Sequence, residues 1–259
     1  MTRHTLPALL LALAAVCPDK PVLADELFDD AMAKANAGDA SAQMNVGAMY
    51  HSGLGVKQKY KHAAPWYRKA AAQGNTDAQN NLGILYYIGR GVGDVHDYPA
   101  AMMWFQRAAA QGNVAAQNNI GFMYDKGSGV EQDYQQAMLW YRKAADGGYA
   151  PAQYNLAMLY DLGQGVEENN LEAINWYSKA ARQGYISAQK NLGYMYYTGE
   201  GVTPDYEQAY IWYALAAANG HAEAAYYRNL AAKKLAAENL VHAKEAAALL
   251  ISQTEKNSQ

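Results

Sequence analysis

"DYQQAMLWYRKAADGGYAPAQYNLAMLY", residues 133–160, contains two helix-like segments that are separated by a pair of glycines. In the second segment, apolar residues stand at i, i+4, i+5 and i+8 from Ala152 to Tyr160, which is the stripe of an amphipathic helix. The first segment ends at Gly148, and glycine permits the left-handed conformation that follows many helices. Because the second helix starts at once, the stretch predicts two antiparallel helices.

The same unit recurs five times along the chain of 259 residues. Its tryptophans follow one another at separations of 38, 36, 36 and 36 residues, and they are Trp66, Trp104, Trp140, Trp176 and Trp212. A single helix pair cannot bury its apolar stripes, whereas stacked pairs share a continuous core. The sequence therefore predicts an all-α solenoid of five 36–38-residue helix-pair repeats with helical caps at both ends. The recurring Trp-Tyr pair is assigned to this scaffold.

Turn and capping signals separate the predicted helices. Gly-x-Gly-Val follows the first helix of every repeat, and Asp97, Asp133 and Asp205 can cap the second helix. Repeat one differs, because Lys59 replaces the aspartate and Pro65 precedes the tryptophan. Proline inside a helix costs about 3 kcal/mol. We expect a kink or a late start in that helix, which would impair its docking on the N-terminal cap.

These patterns divide the chain into nine segments. The N-terminal helix is interpreted as a cap because it resembles an unpaired second helix ending at Gly38, and the C-terminal helices because they lack the Leu-Gly and Gly-x-Gly-Val signals. The predicted segments are a signal peptide at 1–24, an N-terminal capping helix at 25–38, repeat one at 39–75, repeat two at 76–113, repeat three at 114–149, repeat four at 150–185, repeat five at 186–221, C-terminal capping helices at 222–252 and a disordered tail at 253–259.

The first 24 residues have the features of a secretory signal peptide. Arg3 gives a basic start, and the apolar run at 6–16 is too short to span a bilayer. Small side chains at the −3 and −1 positions predict cleavage after Ala24, and a periplasmic or secreted location. A lipoprotein signal ending at Cys17 is the alternative, which the preceding valine disfavours. Since Cys17 is the only cysteine, the mature chain is predicted to contain no disulfide.

The residues present disfavour several ligand and enzyme classes. The formal net charge is −3 and no basic groove is apparent, which argues against nucleic acid as a partner. The histidines show no metal-ligand spacing, so no metal or cofactor is predicted. Ser187 and Lys190 match S-x-x-K, but the partner motifs are absent and Ser187 is expected to cap a helix. An enzyme acting on β-lactams or cell wall is therefore a remote alternative.

Five in-register copies that follow the pattern AQ-x-N-L-G-x-x-Y-x-x-G-x-G-V and then D-Y-x-x-A-x-x-W-Y-x-x-A-A-x-x-G, with single departures such as Lys59, resemble the SEL-like repeat (SLR) family, relatives of tetratricopeptide repeats. The match covers residues 39–221. The resemblance implies a right-handed α/α superhelix that serves as a non-enzymatic protein-binding scaffold. It also implies two kinds of role. Exported members resemble adaptors in envelope assembly, signalling and host contact, and some periplasmic members resemble immunity proteins against type VI secretion phospholipases.

Residues that vary between repeats but share one helix face are candidates for recognition. Positions +2, +6 and +9 from the alanine of each first helix lie within about 60° of one another on a helical wheel. By resemblance to tetratricopeptide-like superhelices, this face lines the concave groove. In repeats two to five the predicted protein-binding groove consists of Asn80, Ile84, Tyr87, Asn118, Phe122, Asp125, Tyr154, Met158, Asp161, Lys190, Tyr194 and Tyr197.

We expect a periplasmic scaffold that binds another protein through this groove, because tyrosine and phenylalanine are typical interface anchors. The most specific hypothesis is an immunity protein that neutralises a type VI secretion phospholipase effector. An envelope or host-contact adaptor is the alternative, and a passive structural role in the envelope is a third. The predicted mature chain has no transmembrane segment and no nucleic-acid partner.

Overall fold

A computed structural model describes the backbone of residues 21–256 and the side chains of residues 27–253. Throughout that range the regular structure is helical, which confirms the predicted all-α class. The predicted signal peptide lies outside the described residues, apart from residues 21–24. In chain order the helices are α1 Pro21–Asn36, α2 Ala40–Ser52, α3 Tyr60–Ala72, α4 Thr76–Ile88, α5 Tyr98–Ala110, α6 Val114–Lys126, α7 Tyr134–Asp146, α8 Ala150–Asp161, α9 Asn170–Arg182, α10 Ile186–Thr198, α11 Tyr206–Ala218, α12 Ala224–Ala232 and α13 Ala237–Lys256.

The described residues form two compact units, each with its own set of packed helices. Unit 1 extends to Met123 and includes residues 128–130, and unit 2 contains residues 124–127 and those from 131 onward. In unit 1 the helices from α1 to α5 pack in chain order, α1 on α2, α2 on α3, α3 on α4 and α4 on α5. In unit 2 the same holds from α7 to α12, and α13 also packs against α11. Successive packing of helix pairs is the solenoid arrangement that the 36-residue period predicts.

Repeat one keeps a regular second helix despite its proline. Helix α3 begins at Tyr60 and is 13 residues long, as are α5 and α7, so the predicted late start is wrong. Only one backbone hydrogen bond is lost at Pro65, and the fully buried Ala64 and Tyr67 hold the helix in place. Docking on α1 is also intact, because Trp66 packs against a cluster that includes Ala35.

Both ends of the described chain are more helical than predicted. Helix α1 begins at Pro21, upstream of the expected start of the cap at residue 25, and proline suits the first helical position. Helix α13 continues to Lys256, so the prediction of a disordered tail is wrong for residues 253–256. The reason is local: residues 252–256 contain neither glycine nor proline, and glutamine, glutamate and lysine are good helix formers.

Aspartate caps begin the second helices as predicted. Asp97 accepts a hydrogen bond from the backbone N–H of Ala100, and Asp205 accepts one from Gln208. Asp133 caps α7 in the same way. In repeat one, Lys59 takes the capping position without a side-chain bond to the helix. Such a cap is worth about 1 kcal/mol, so repeat one lacks a stabilising contact that its neighbours have.

One aromatic ring from each second helix forms the centre of each repeat's core. These rings belong to Tyr67, Phe105, Tyr141, Tyr177 and Tyr213 and are at most 2% exposed. In repeats one, two and five a glycine of the facing first helix makes room for the ring, and a Cβ at Gly83, for example, would lie 2.7 Å from the ring of Phe105. Full burial of one such side chain contributes about 1.5–3 kcal/mol. The tyrosine of the Trp-Tyr pair is thus the core residue, while Trp140 is half-buried beside Lys143.

Buried glutamines join neighbouring helices by their side-chain amides. In unit 1 the Gln79 Nε2 group donates to the carbonyl oxygen of Ala71 at 3.3 Å, and its Oε1 atom accepts from Gln111 at 2.9 Å. Gln153 in unit 2 forms the equivalent pair of bonds with Ala145 and Gln183. A buried amide that is satisfied at both ends fixes the register of the helices it joins.

Candidate protein-binding face

The predicted groove residues fall into one group in each unit, and these groups are named the unit 1 face and the unit 2 face. The unit 1 face consists of Asn80, Ile84, Tyr87, Asn118 and Phe122. The unit 2 face consists of Asp125, Tyr154, Met158, Asp161, Lys190, Tyr194 and Tyr197. Two members are buried, Asn80 at 7% and Asn118 at 9% exposure. Tyr194 is exposed at 48%, and the others are half-buried.

The side chains of the unit 1 face contact one another and residues of neighbouring helices. The ring of Tyr87 lies 5.3 Å from that of Tyr98 and 6.1 Å from that of Phe122. Asn80 accepts a hydrogen bond from the side chain of Asn119 at 2.8 Å, which links α4 to α6. The asparagines at the +2 position therefore belong to the interior of the unit, and the remaining surface of this face is aromatic and aliphatic.

The unit 2 face combines stacked tyrosines with a polar network. The Tyr154 ring lies 5.7 Å from that of Tyr177 and 5.1 Å from that of Tyr185. Asn191 donates to the Tyr177 hydroxyl at 3.1 Å, and Met158 accepts a weaker contact from the same amide. Because neighbouring side chains hold Tyr154 and Met158 in place, this part of the surface needs little ordering when a partner binds.

Sequence reasoning missed the asparagine and the loop carboxylate that complete this face. Asn191 is the asparagine of the AQ-x-N motif in repeat five. This motif recurs in every repeat, and its asparagine is for that reason interpreted as a scaffold residue. Glu200 lies in the loop after α10, within hydrogen-bonding reach of Tyr194, and its charge raises the pKa of the Tyr194 hydroxyl. A helical wheel cannot include a residue from a loop, which is why Glu200 was overlooked.

In repeats one, three and four the side chain at +9 forms a hydrogen bond with the buried tyrosine of the second helix. The pairs are His51 with Tyr67 at 3.3 Å, Asp125 with Tyr141 at 3.1 Å and Asp161 with Tyr177 at 2.9 Å. In repeat two the buried ring is Phe105, which has no hydroxyl, and +9 is Tyr87. Part of the variation at +9 thus follows from the need to satisfy a buried hydroxyl.

Asp125 and Asp161 occupy equivalent places in different electrostatic surroundings. Asp125 forms an ion pair with Lys126 at 3.1 Å, whereas the residue after Asp161 is Leu162. Burial raises the pKa of the Asp161 carboxyl, and the nearby carboxylates of Glu200 and Glu168 raise it further. The unit 2 face therefore concentrates negative charge around Asp161.

Asp161→Asn is expected to raise the melting temperature at neutral pH. Asparagine still accepts the bond from Tyr177 but carries no charge to repel Glu168 and Glu200. A carboxyl whose pKa is raised by folding binds protons more tightly in the folded state, so wild-type stability falls as pH rises through that pKa. Thermal scans should show the gain shrinking as the pH falls through the raised pKa of Asp161 towards about 3.9, the ordinary pKa of an aspartate in the unfolded chain.

Asp125→Asn is the matched control for this effect. It removes the same charge from the equivalent position, but there the charge is paired with Lys126. We expect no stabilisation from it at neutral pH. Equal stabilisation by both substitutions would contradict the assignment of the effect to the carboxylates around Asp161.

The remaining candidate for chemistry, Ser187, is an exposed residue in the first turn of α10. The N-cap of α10 is Tyr185, so the interpretation of Ser187 as the cap is wrong. The helix begins at Ile186, two residues earlier than that interpretation requires. Among the described residues, no cluster of three or more histidine, cysteine or acidic side chains could hold a metal ion, and no helix is long and apolar enough to cross a bilayer.

The family model of the Sel1 repeat matches five consecutive segments of this chain, at residues 40–75, 76–113, 114–149, 150–185 and 186–221. Among curated proteins, a putative sel1-like repeat-containing protein of Acanthamoeba polyphaga mimivirus is 45% identical over 49 residues. That match covers 19% of this chain, and it spans only 9% of the length of the relative.

Solved structures give longer matches. A Sel1 repeat protein from Oxalobacter formigenes is 34% identical, with a TM-score of 0.70, and the match covers 82% of this chain and 88% of that one. A protective antigen of uropathogenic Escherichia coli with an SLR fold is 29% identical, with a TM-score of 0.53 and coverage of 91% and 58%. An immunity protein from Pseudomonas aeruginosa is 22% identical, with a TM-score of 0.59 and coverage of 81% and 79%, and shares the fold. With five matched repeats, this chain belongs to the Sel1 repeat family.

Proposed function

We propose that this chain is a non-enzymatic, periplasmic scaffold that binds another protein through the unit 2 face. The observation that supports the proposal most directly is Tyr194, a tyrosine that is 48% exposed on a face whose other side chains are half-buried. Exposed tyrosines in rigid surroundings are frequent energetic centres of protein interfaces. The periplasmic location rests on the predicted signal peptide.

The charge of the face indicates the kind of surface it would receive. Burial raises the pKa of Asp161, and the carboxylates of Glu200 and Glu168 lie close enough to raise it further. A partner that brings lysine or arginine to this point would relieve the repulsion and stack its stem on Tyr194. The unit 2 face thus favours a partner surface with basic residues next to apolar ones.

Tyr194→Ala is expected to weaken binding of the physiological partner at least about tenfold while leaving the melting temperature within a few degrees of wild type. The partner is first isolated by affinity purification from periplasmic extract with mass spectrometry, and is then titrated by calorimetry. Tyr194 is the sharpest probe, because Tyr154 also packs against Tyr177 and Tyr185, so that its removal would disturb the fold.

Tyr226→Ala provides the matched control for this titration. Tyr226 is 63% exposed, but it lies on α12 outside the proposed face. It should leave the affinity unchanged. An unchanged affinity for Tyr194→Ala, or an equal loss for both variants, would count against the unit 2 face as the binding surface.

Within this class we propose an immunity protein that occludes a type VI secretion phospholipase effector, with an envelope or host-contact adaptor as the alternative. The finer proposal rests on the family resemblance, since the match to the Pseudomonas aeruginosa immunity protein, at 22% identity, supports the fold alone. Co-expression with a phospholipase encoded by a neighbouring gene tests it. Restored growth that depends on Tyr194 would support immunity, whereas continued killing of the cells would favour the adaptor.

A further inference from the structure

The start of α3 in repeat one carries positive charge where the other repeats carry a neutral or acidic cap. Lys59 stands at the N-cap, and Lys57 and Lys61 flank it two residues away on either side. A cation at this end of a helix opposes the helix dipole, and no side-chain bond to the helix compensates for it. Lysine at this position therefore makes repeat one locally less stable than a capping residue would. Departures from the locally favoured residue are expected at functional sites.

These basic residues border a pocket within unit 1. The pocket has a volume of about 610 Å³ and lies between the start of α3 and the loop after α4; the charged and aromatic side chains that line it include Lys59, Tyr60, Lys61, Arg90 and Asp94. The guanidinium of Arg90 lies 5.6 Å from the centroid of the Tyr60 ring. Gly91 lets the loop backbone lie directly against the carbonyl group of Tyr60.

The charge inside this pocket is unbalanced. Lys61 forms an ion pair with Asp94 at 2.8 Å, and Asp94 is the one carboxylate among the residues that line the pocket. Lys59 and Arg90 take part in no ion pair with another residue of the range 27–253. Three cations against one carboxylate leave the pocket positive, in a chain whose formal net charge is −3.

The loop that forms the opposite wall of the pocket also differs from the equivalent loops of the other repeats. Repeat two has two extra residues within the sequence GDVHDY, at positions 93–98, and Asp94 lies in this stretch. Asp94 has a φ of +59°, an uncommon conformation for a residue other than glycine, and its side chain accepts a bond from the backbone N–H of Gly91. Two separate irregularities, one in each repeat, thus meet at one pocket.

We propose that this pocket binds the carboxylate side chains of an acidic segment of a partner protein. Lys59 and Arg90 would contact the carboxylates, and the ring of Tyr60 would receive an aliphatic stem. An extended protein segment fits better than a lipid bilayer, because the concave pocket admits single side chains.

Lys59→Asp tests this proposal, because it should move stability and binding in opposite directions. Aspartate restores the cap that the other repeats have, so the melting temperature should rise by about 2 °C. Binding of a fluorescein-labelled peptide of alternating glutamate and glycine, followed by anisotropy at low salt, should weaken at least about tenfold. Arg90→Gln should weaken the same peptide to a similar extent.

Lys69→Asp is the matched control for charge. Lys69 is exposed, lies over the Trp66 ring rather than in the pocket, and its replacement changes the net charge equally. This variant should bind the peptide as wild type does, and so should Tyr194→Ala, which keeps the result independent of the proposed unit 2 face. A matched glutamine-glycine peptide should not bind.

Three results would overturn the proposal. The first is equal peptide binding by wild type and Lys59→Asp. The second is the absence of binding to wild type at low salt. The third is binding of phosphatidylglycerol vesicles, or competition by inorganic phosphate, that is as strong as that of the peptide, since the pocket would then recognise phosphate groups rather than an acidic protein segment.

Discussion

Tyr177→Ala is expected to lower the free energy of unfolding by about 3–5 kcal/mol, the range observed when a buried aromatic side chain is truncated. Tyr177 is fully buried, and its contacts reach two neighbouring helices. Its hydroxyl donates to Asp161 of α8 at 2.9 Å and accepts from Asn191 of α10 at 3.1 Å. Loss of the ring would leave a cavity at the centre of repeat four and two polar groups without their partner.

Urea denaturation of the purified chain measures this effect, and Tyr177→Phe is the matched control. Phenylalanine fills the same position in repeat two, where Phe105 is 2% exposed, so the ring itself should be retained. The cost should then fall to about 1–2 kcal/mol, for the stranded Asp161 and Asn191 groups. Equal losses in the two variants would show that the hydroxyl, rather than the ring, holds this repeat together.

Gly165→Ala is expected to destabilise unit 2 by about 2–4 kcal/mol, because two penalties coincide. Gly165 has a φ of +74°, which favours glycine. A Cβ at this position would also lie 2.7 Å from the carbonyl carbon of Tyr134, where α7 begins. Backbone atoms cannot turn aside as a side-chain end can, so the loop would have to move away from the helix.

Gly148→Ala separates the two penalties of the preceding prediction. Its φ is +83°, but a Cβ there would meet no atom within 4 Å. This variant should therefore be destabilised only by the unfavourable backbone conformation, by about 1–2 kcal/mol. Differential scanning calorimetry of both variants gives the comparison. If Gly148→Ala is as damaging as Gly165→Ala, the close approach to Tyr134 contributes nothing to stability.

The fold could be predicted from the sequence because its determinants are periodic. The tryptophans recur with the period of the repeat, and the glycines at helix ends and the aspartate caps act on backbone groups only a few residues away along the chain. Pro65 was misjudged for the opposite reason: burial of Ala64 and Tyr67 in contacts with other helices outweighs one lost hydrogen bond. Local propensity alone does not contain those contacts.

The candidate face could be predicted only in outline. The helical wheel placed Tyr154 and Tyr194 on one side of their helices, but it could not show that Asn80 and Asn118 are buried. Nor could it include Glu200, which reaches the face from a loop. Side chains from separate helices and loops define such a surface, so a reading that treats each helix by itself loses part of it.

The carboxylates around Asp161 are expected to lower the stability of unit 2 and to favour binding of a basic partner. The same carboxylates that are expected to destabilise unit 2 at neutral pH are those that would attract a basic partner surface. Asp161→Asn should therefore give a more stable protein with weaker partner binding. A compromise of this kind is common where residues are kept for function rather than for folding.

The pairing between position +9 and the buried ring has a consequence for engineering of this scaffold. A binding library that randomises the first-helix face would strand a buried hydroxyl whenever it replaces Asp125 or Asp161 by an apolar residue. Repeat two shows how to avoid this, because Phe105 has no hydroxyl group that a side chain at Tyr87 would have to satisfy. Encoding phenylalanine in the second helix of each randomised module would free the +9 position for new specificities.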